Sequence, residues 1–215
     1  MSRIKTLLTI VCVLFAATGS AAAAEPVALA EGRQFTRVQF PQPVESPGKV
    51  EVIEFFWYGC NHCADFEPLL TAWVKKLPAD VTFRKVPAVF RDSWAPGARL
   101  YYTLEAMGLV DKLNVPIFNA IHKERLNLQG DEKLMADWVA KQGVDRQKFV
   151  DMYKSFTIAG KVKRATEMTQ EYGFGGVPVL VIGGKYMPVS AGSYTDLLRV
   201  TDALIAKNRA ELGKK

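Results

Sequence analysis

Reactive side chains in this chain of 215 residues concentrate in Cys60-Asn61-His62-Cys63, two thiols separated by two residues, with Glu54-Phe-Phe-Trp-Tyr-Gly59 just ahead of them. The apolar run from Val50 to Trp57 predicts a buried strand, Gly59 a tight turn, and the periodic segment beginning at Cys60 a helix. A thiol pair at a strand-to-helix turn is a redox pair first; a structural disulfide and half of a zinc site are the other chemistries open to it. At a helix N-terminus the Cys60 sulfur would face unpaired backbone N–H groups and the positive end of the helix dipole, both of which favour thiolate over thiol. Protonated His62 would add a positive charge beside it. Cys63, one turn further on, should be more buried and act as the resolving thiol. Each unit by which the Cys60 pKa falls below ambient pH stabilises the dithiol by about 1.36 kcal/mol, or about 30 mV, so a strongly depressed pKa makes the disulfide an oxidant.

Glu54 lies six residues before Cys60 on an apolar strand, where charge is expensive. Buried acids of this kind have raised pKa values and can give or take protons; a strand-end glutamate paired with a lysine is the alternative. The chain has two histidines, and a zinc site built from Cys60, Cys63, His62 and distant His122 would be geometrically awkward. His122 reads as an ordinary helix residue, and neither a metal nor a cofactor is expected.

The N-terminus carries its own signal. Arg3 and Lys5, an apolar stretch from Leu7 to Ala17, and the small residues Ala22-Ala23-Ala24 predict a secretory signal peptide over residues 1–24. Cleavage would remove Cys12 and leave Cys60 and Cys63 as the two thiols, in a compartment that tolerates disulfides. It would also lower the net charge from +6 to +4. The remaining basic residues are scattered among acids, and Lys161, Lys163 and Arg164 read as a solvated helix face. No basic stripe or aromatic platform of a nucleic-acid binder is present. About 190 residues remain, enough for one buried core.

Along the mature chain, Phe35 to Phe40 alternates as a first, edge strand, and prolines and Gly48 then break it. Lys49 to Trp57 is too continuously apolar for a sheet exposed on one side, so it should be central with both faces covered. The following helix would pack Phe66, Leu69, Leu70, Trp73, Val74 and Leu77 inward, with a kink near Pro68. Val81 to Val86 gives a strand parallel to the central one. Residues 91–160 turn wholly helical: Asp131 and Asp145 cap segments whose apolar stripes read as core. A helix over Ile158 to Tyr172, a strand over Val177 to Ile182, a Gly183-Gly184 hairpin, a returning strand over Lys185 to Val189 and a helix capped by Ser193 complete the chain. The predicted class is α/β with an inserted all-helical subdomain: residues 25–90 and 161–215 form one domain, interrupted by residues 91–160. Trp57, Tyr58, Tyr186 and Met187 could form an apolar rim or simply pack in the core.

Taken together, the Cys60-Asn-His-Cys63 motif after Val-Ile-Glu-Phe-Phe-Trp-Tyr-Gly, the helical insertion, Gly176-Val177-Pro178-Val-Leu-Val and the Gly-Gly hairpin resemble the thioredoxin fold. More closely, the chain resembles the DsbA branch of periplasmic thiol:disulfide oxidoreductases, over nearly all of its mature length. That resemblance implies a thioredoxin-like fold and a periplasmic oxidase that passes its Cys60–Cys63 disulfide to newly exported proteins through a mixed disulfide. It implies that His62 stabilises the Cys60 thiolate, that Pro178 is cis and faces the cysteines so that neighbouring backbone can pair with substrate, and that Val177 tunes the potential. It also implies that Glu54 assists proton transfer at the resolving cysteine, and that a quinone-linked inner-membrane partner reoxidises a monomeric protein. Asn61 departs from the familiar motif, which has proline there; the free N–H and looser first turn bear on how far the Cys60 pKa falls. A reductase or isomerase of the same fold and a chaperone module with an inert disulfide are the rival readings. Isomerases of this fold carry an N-terminal dimerisation domain, for which about ten residues between leader and first strand leave no room.

Overall fold

The structure, a computed structural model, describes residues 27–189 and 192–213. The expected signal peptide and Cys12 lie outside the described residues. Five strands form one mixed sheet in the order β1-β5-β4-β2-β3, where β1 is Phe35–Arg37, β2 Val50–Phe56, β3 Val81–Pro87, β4 Val179–Ile182 and β5 Tyr186–Pro188. β2 lies between β3, parallel to it, and β4, antiparallel to it, and every one of its residues is buried. The central placement expected of this apolar run holds for that reason: both faces are covered. β1 is the edge strand, shorter than its alternating pattern suggested, and it pairs with β5 over three residues.

Each face of the sheet has its own core. On one face Val50 and Val52 of β2, with Leu180 and Ile182 of β4, pack against Phe66 and Leu70 of α1 (Asn61–Val74) and against Leu197, Leu204 and Ile205 of α7 (Tyr194–Leu212). On the other, Ile53 and Phe55 meet Tyr172 and Phe174, and this core continues into the helices. Those helices are α2 (Ala95–Ala106), α3 (Val110–His122), α4 (Glu132–Lys141), α5 (Arg146–Tyr153) and α6 (Phe156–Glu171), preceded by a 3₁₀ turn at Asp92–Trp94. Met135, Trp138, Phe149 and Tyr153 are all buried there, so the aromatic and methionine stripes are core.

Local chemistry sets the helix starts. Asp131, Asp145 and Ser193 each accept a backbone N–H three residues on, satisfying a donor that the first turn leaves free. α6 starts at Phe156, two residues earlier than its periodicity suggests, because Ser155 caps it in the same way. Gly183 and Gly184 both have positive φ, 58° and 65°, as the two-residue hairpin requires. α1 runs through Pro68. Its inner face differs from the expected one: Leu69 is 44% exposed, while Glu67 is buried. Cys63, Phe66, Glu67 and Leu70 form the covered stripe at helical spacing. Tyr58 and Tyr186 are buried too, which removes them from any exposed rim. Among the described residues no helix is long and apolar enough to cross a membrane.

Candidate active site

The turn Trp57-Tyr58-Gly59 delivers Cys60 from the end of β2 to the start of α1, where Cys60 is the N-cap residue with extended backbone. Gly59 is needed here for space, since its φ is not positive. A Cβ on it would run into the Trp57 indole, and that indole is held by a parallel stack on Trp94 at 4.0 Å. Tyr58 is fixed from both ends by α3. Its hydroxyl donates to Asn114 Oδ1 at 2.7 Å, its ring packs edge-on against Phe118 at 5.0 Å, and its carbonyl lies 2.7 Å from His122 Nε2. A carbonyl only accepts, so His122 carries the hydrogen on Nε2. His122 is therefore a clamp on the active-site turn, which a reading of it as an ordinary helix residue missed.

Cys60 and Cys63 are both free thiols, the first half-buried and the second buried. The Cys60 sulfur accepts the Cys63 backbone N–H at 3.4 Å, and its thiol donates to the Val177 carbonyl at 3.3 Å. Its pKa falls to about 6 because the Cys63 thiol donates to it, against the opposing effect of burial; the backbone N–H groups of Cys63 and His62 and then the His62 charge add to the fall. Burial, first of all, pushes the Cys63 thiol far up. One thiol of the pair is thus built to ionise and the other to stay protonated. His62 itself is exposed on the first turn, where the Tyr194 hydroxyl of α7 donates to its carbonyl at 3.0 Å. Asn61 is also exposed.

Val177 and Pro178 precede β4, joined by a cis peptide bond. The strand starts at Val179, later than the apolar pattern suggests, because Pro178 has no N–H to give a ladder and the Val177 carbonyl faces Cys60. The sequence-distant residues Val177 and Pro178 are thereby brought to the cysteine pair.

Glu54 is fully buried in the middle of β2, opposite Lys85 of β3 in the ladder. It is a buried acid, and it is also paired with a lysine, at 2.5 Å, though within the strand and not at its end. Burial raises its pKa to about 7, Lys85 opposing and Glu67 assisting. The Lys85 ammonium also reaches Glu67, at 2.6 Å. Burial works against its charge, but the two carboxyl groups outweigh it and hold Lys85 above its ordinary value. Glu67, Lys85, Asn114, His122 and Tyr194 were not foreseen. Glu67 had a readable signal, since it lies four residues after Cys63 on the same helix face.

A mixed sheet carrying a dithiol at a helix N-terminus, opposite a cis-proline loop and above a buried acid, defines a thiol:disulfide oxidoreductase of the thioredoxin fold. Comparison with known proteins narrows the class. A family model described as a DSBA-like thioredoxin domain matches residues 94–199, the part of the chain after the dithiol. The thiol:disulfide interchange protein DsbA of Burkholderia cepacia is 42% identical over 204 residues, 94% of this chain and 96% of that protein. DsbA of Pseudomonas aeruginosa strain PAO1 is 43% identical over 85% of this chain and 87% of that protein. Its crystal structure superposes with a TM-score of 0.81 at 41% identity, covering 86% of this chain and 96% of that one. The oxidoreductase DsbA from Xylella fastidiosa gives a TM-score of 0.79 at 32% identity, covering 85% and 98%. The chain belongs to the DsbA family.

Proposed function

We propose that this protein is a periplasmic oxidase whose Cys60–Cys63 disulfide is passed to newly exported proteins. A substrate thiolate attacks Cys60 Sγ, the S–S bond breaks, and its electron pair goes to Cys63, which takes up a proton supplied by buried Glu54. A second substrate thiolate then attacks the substrate's own sulfur in the mixed disulfide. The substrate leaves as a disulfide, and Cys60 leaves as a thiolate. Two electrons have passed to the enzyme. Val177 and Pro178 offer backbone beside Cys60 for an extended substrate segment, Asn61 and His62 border it on the exposed first turn, and His62 adds its charge to the thiolate. A quinone-linked inner-membrane partner takes the electrons back, and the protein acts as a monomer throughout. The helical stretch from residue 91 to 160 is an insertion into a thioredoxin-like domain formed by residues 25–90 and 161–215, behind a signal peptide at residues 1–24.

The observation that carries the oxidase direction is the asymmetry of the pair: Cys60 is placed to be a stable thiolate leaving group, so the dithiol form is the favoured product. Redox equilibration against glutathione, with thiolate absorbance followed over pH, tests it. The expected potential lies well above that of thioredoxin, about −270 mV; a value near thioredoxin's would make the protein a reductase. Greater activity on scrambled than on reduced ribonuclease would make it an isomerase, and an ordinary thiol pKa of about 8.5 would make the disulfide inert.

A further inference from the structure

Under the cysteines, polar side chains from two helices, two strands and the active-site turn meet one another. Lys85 of β3 donates to Glu54 Oε2 at 2.5 Å and to Glu67 Oε2 at 2.6 Å. On α3, Asn114 donates its amide to Glu67 Oε1 at 2.7 Å, and the Thr71 hydroxyl of α1 donates to the same oxygen at 3.0 Å. Asn114 is itself buried, and its carbonyl oxygen accepts the Tyr58 hydroxyl. A carboxylate only accepts, so the amide has one sensible orientation, N–H toward Glu67 and oxygen toward Tyr58.

Two carboxyl groups share one ammonium in this space. Only one negative charge is balanced, and the pair therefore keeps a proton. The donors decide where. Glu67 receives three of them, from Lys85, Asn114 and Thr71, over both oxygens. Glu54 receives Lys85 alone, and its buried Oε1 has no hydrogen-bond partner among the described residues. The other groups whose charge couples to Glu54 are Cys60 and Cys63 of α1, Tyr58 of the turn and Tyr101 of α2, while its ladder partner on β4 is apolar Leu180. None of these gives Glu54 a second donor. The Glu54 charge bears directly on Cys63.

We propose that Asn114 is a positioning residue of the redox site: by donating to Glu67 it keeps that carboxyl ionised against Lys85, and so assigns the shared proton to Glu54, on the cysteine side of the network. The inference rests on the reading of Glu54 as the proton source for Cys63. It gives the helical insertion a chemical role in the reaction, because Asn114 is the side chain by which α3 reaches the acid pair.

The test is a carboxyl ¹³C titration of the glutamates in the reduced full-length protein. Asn114 lines a cleft of about 640 Å³ together with Glu67 and Lys85, so truncating it opens onto that cleft instead of leaving a closed void. In the wild type a step near neutral pH is expected on Glu54. Asn114→Ala should lower the Glu54 step by about one pH unit, the size set by one hydrogen bond to a charged group. Glu67→Gln removes the competing carboxylate altogether and should lower the Glu54 step further. Tyr58→Phe removes only the hydroxyl that Asn114 accepts and should leave the Glu54 step in place. An unchanged Glu54 step in Asn114→Ala would overturn the proposal. So would a Tyr58→Phe protein that reproduces the Asn114→Ala shift, since Asn114 would then act by holding Tyr58. If Glu54 does not titrate near neutrality in the wild type, the proton-source reading of Glu54 fails, and this assignment fails with it.

Discussion

Cys60 ionises easily because of the backbone and side chain that follow it, and this bears directly on Asn61. The groups lowering its pKa are the Cys63 thiol, the N–H groups of Cys63 and His62, and the His62 charge. Asn61, at the first helical position, is absent from that set. A proline there would lack an N–H that the helix leaves unbonded in any case, and its fixed φ suits the first turn. Asn61→Pro should therefore leave the Cys60 thiolate titration within about half a unit of the wild type while slightly stabilising the fold; a larger move in thiolate absorbance would give Asn61 a direct part in the site. Gly59 is constrained differently. With Trp57 pinned against Trp94, a methyl group at Gly59 has nowhere to go except into the indole. Gly59→Ala should cost about 1–3 kcal/mol in denaturant unfolding, the usual range for overpacking, and should change tryptophan fluorescence as the stack opens.

At the scale of elements, α3 is the piece whose job could not be read from its own residues. Its Asn114, Phe118 and His122 lie four residues apart, on one face, and grip Tyr58 from hydroxyl to carbonyl. Replacing His122 by leucine removes one donor to a part-buried carbonyl, so a loss of about 1–2 kcal/mol is expected, with faster amide hydrogen exchange in the Trp57–Cys60 turn. His122→Gln, which can still donate, should recover part of both; if it recovers neither, the hydrogen bond is not what holds the turn. The sequence was legible where the physics is local. β2 announced itself by a continuous apolar run, the caps at Asp131, Asp145 and Ser193 by residue type and spacing, and the hairpin by its two glycines. Of the candidate site, Cys60, Cys63, Val177 and Pro178 were picked out by their motifs, and the structure brings them together. Lys85 was not, because a lysine between Phe83 and Val86 looks like any strand residue until the ladder sets it opposite Glu54. Glu67 was obscured by Leu69, whose apolar side chain suggested the wrong register for α1. Anchoring that register on Cys63 would have placed Glu67 inside.

Over the whole molecule, the fold couples thiol ionisation to its own stability. In the dithiol form the Cys60 pKa is about 6 against an ordinary 9.0. The unfolded chain therefore binds more protons at Cys60 than the folded one between these values, and stability rises with pH across that window. The contribution is fully present above about pH 9 and is lost as pH falls through about 6. Cys60 is half exposed, so solvent screening reduces its size to about 1–2 kcal/mol. Cys63 and Glu54 also have shifted values, with the opposite sign for folding, and Cys60 contributes to both, so the comparison with a Cys60→Ser variant reads the thiolate together with its effect on these two neighbours. Urea unfolding of the reduced wild type and of reduced Cys60→Ser should give stabilities that converge near pH 5.5 and separate in favour of the wild type by about 1–2 kcal/mol at pH 9. This free energy also stabilises the reduced state relative to the disulfide, so it is part of what makes the disulfide an electron acceptor. A difference that stays flat from pH 5.5 to 9 would mean that the fold does not favour the Cys60 thiolate, and the driving force for oxidising substrates would have to come from strain in the disulfide form instead.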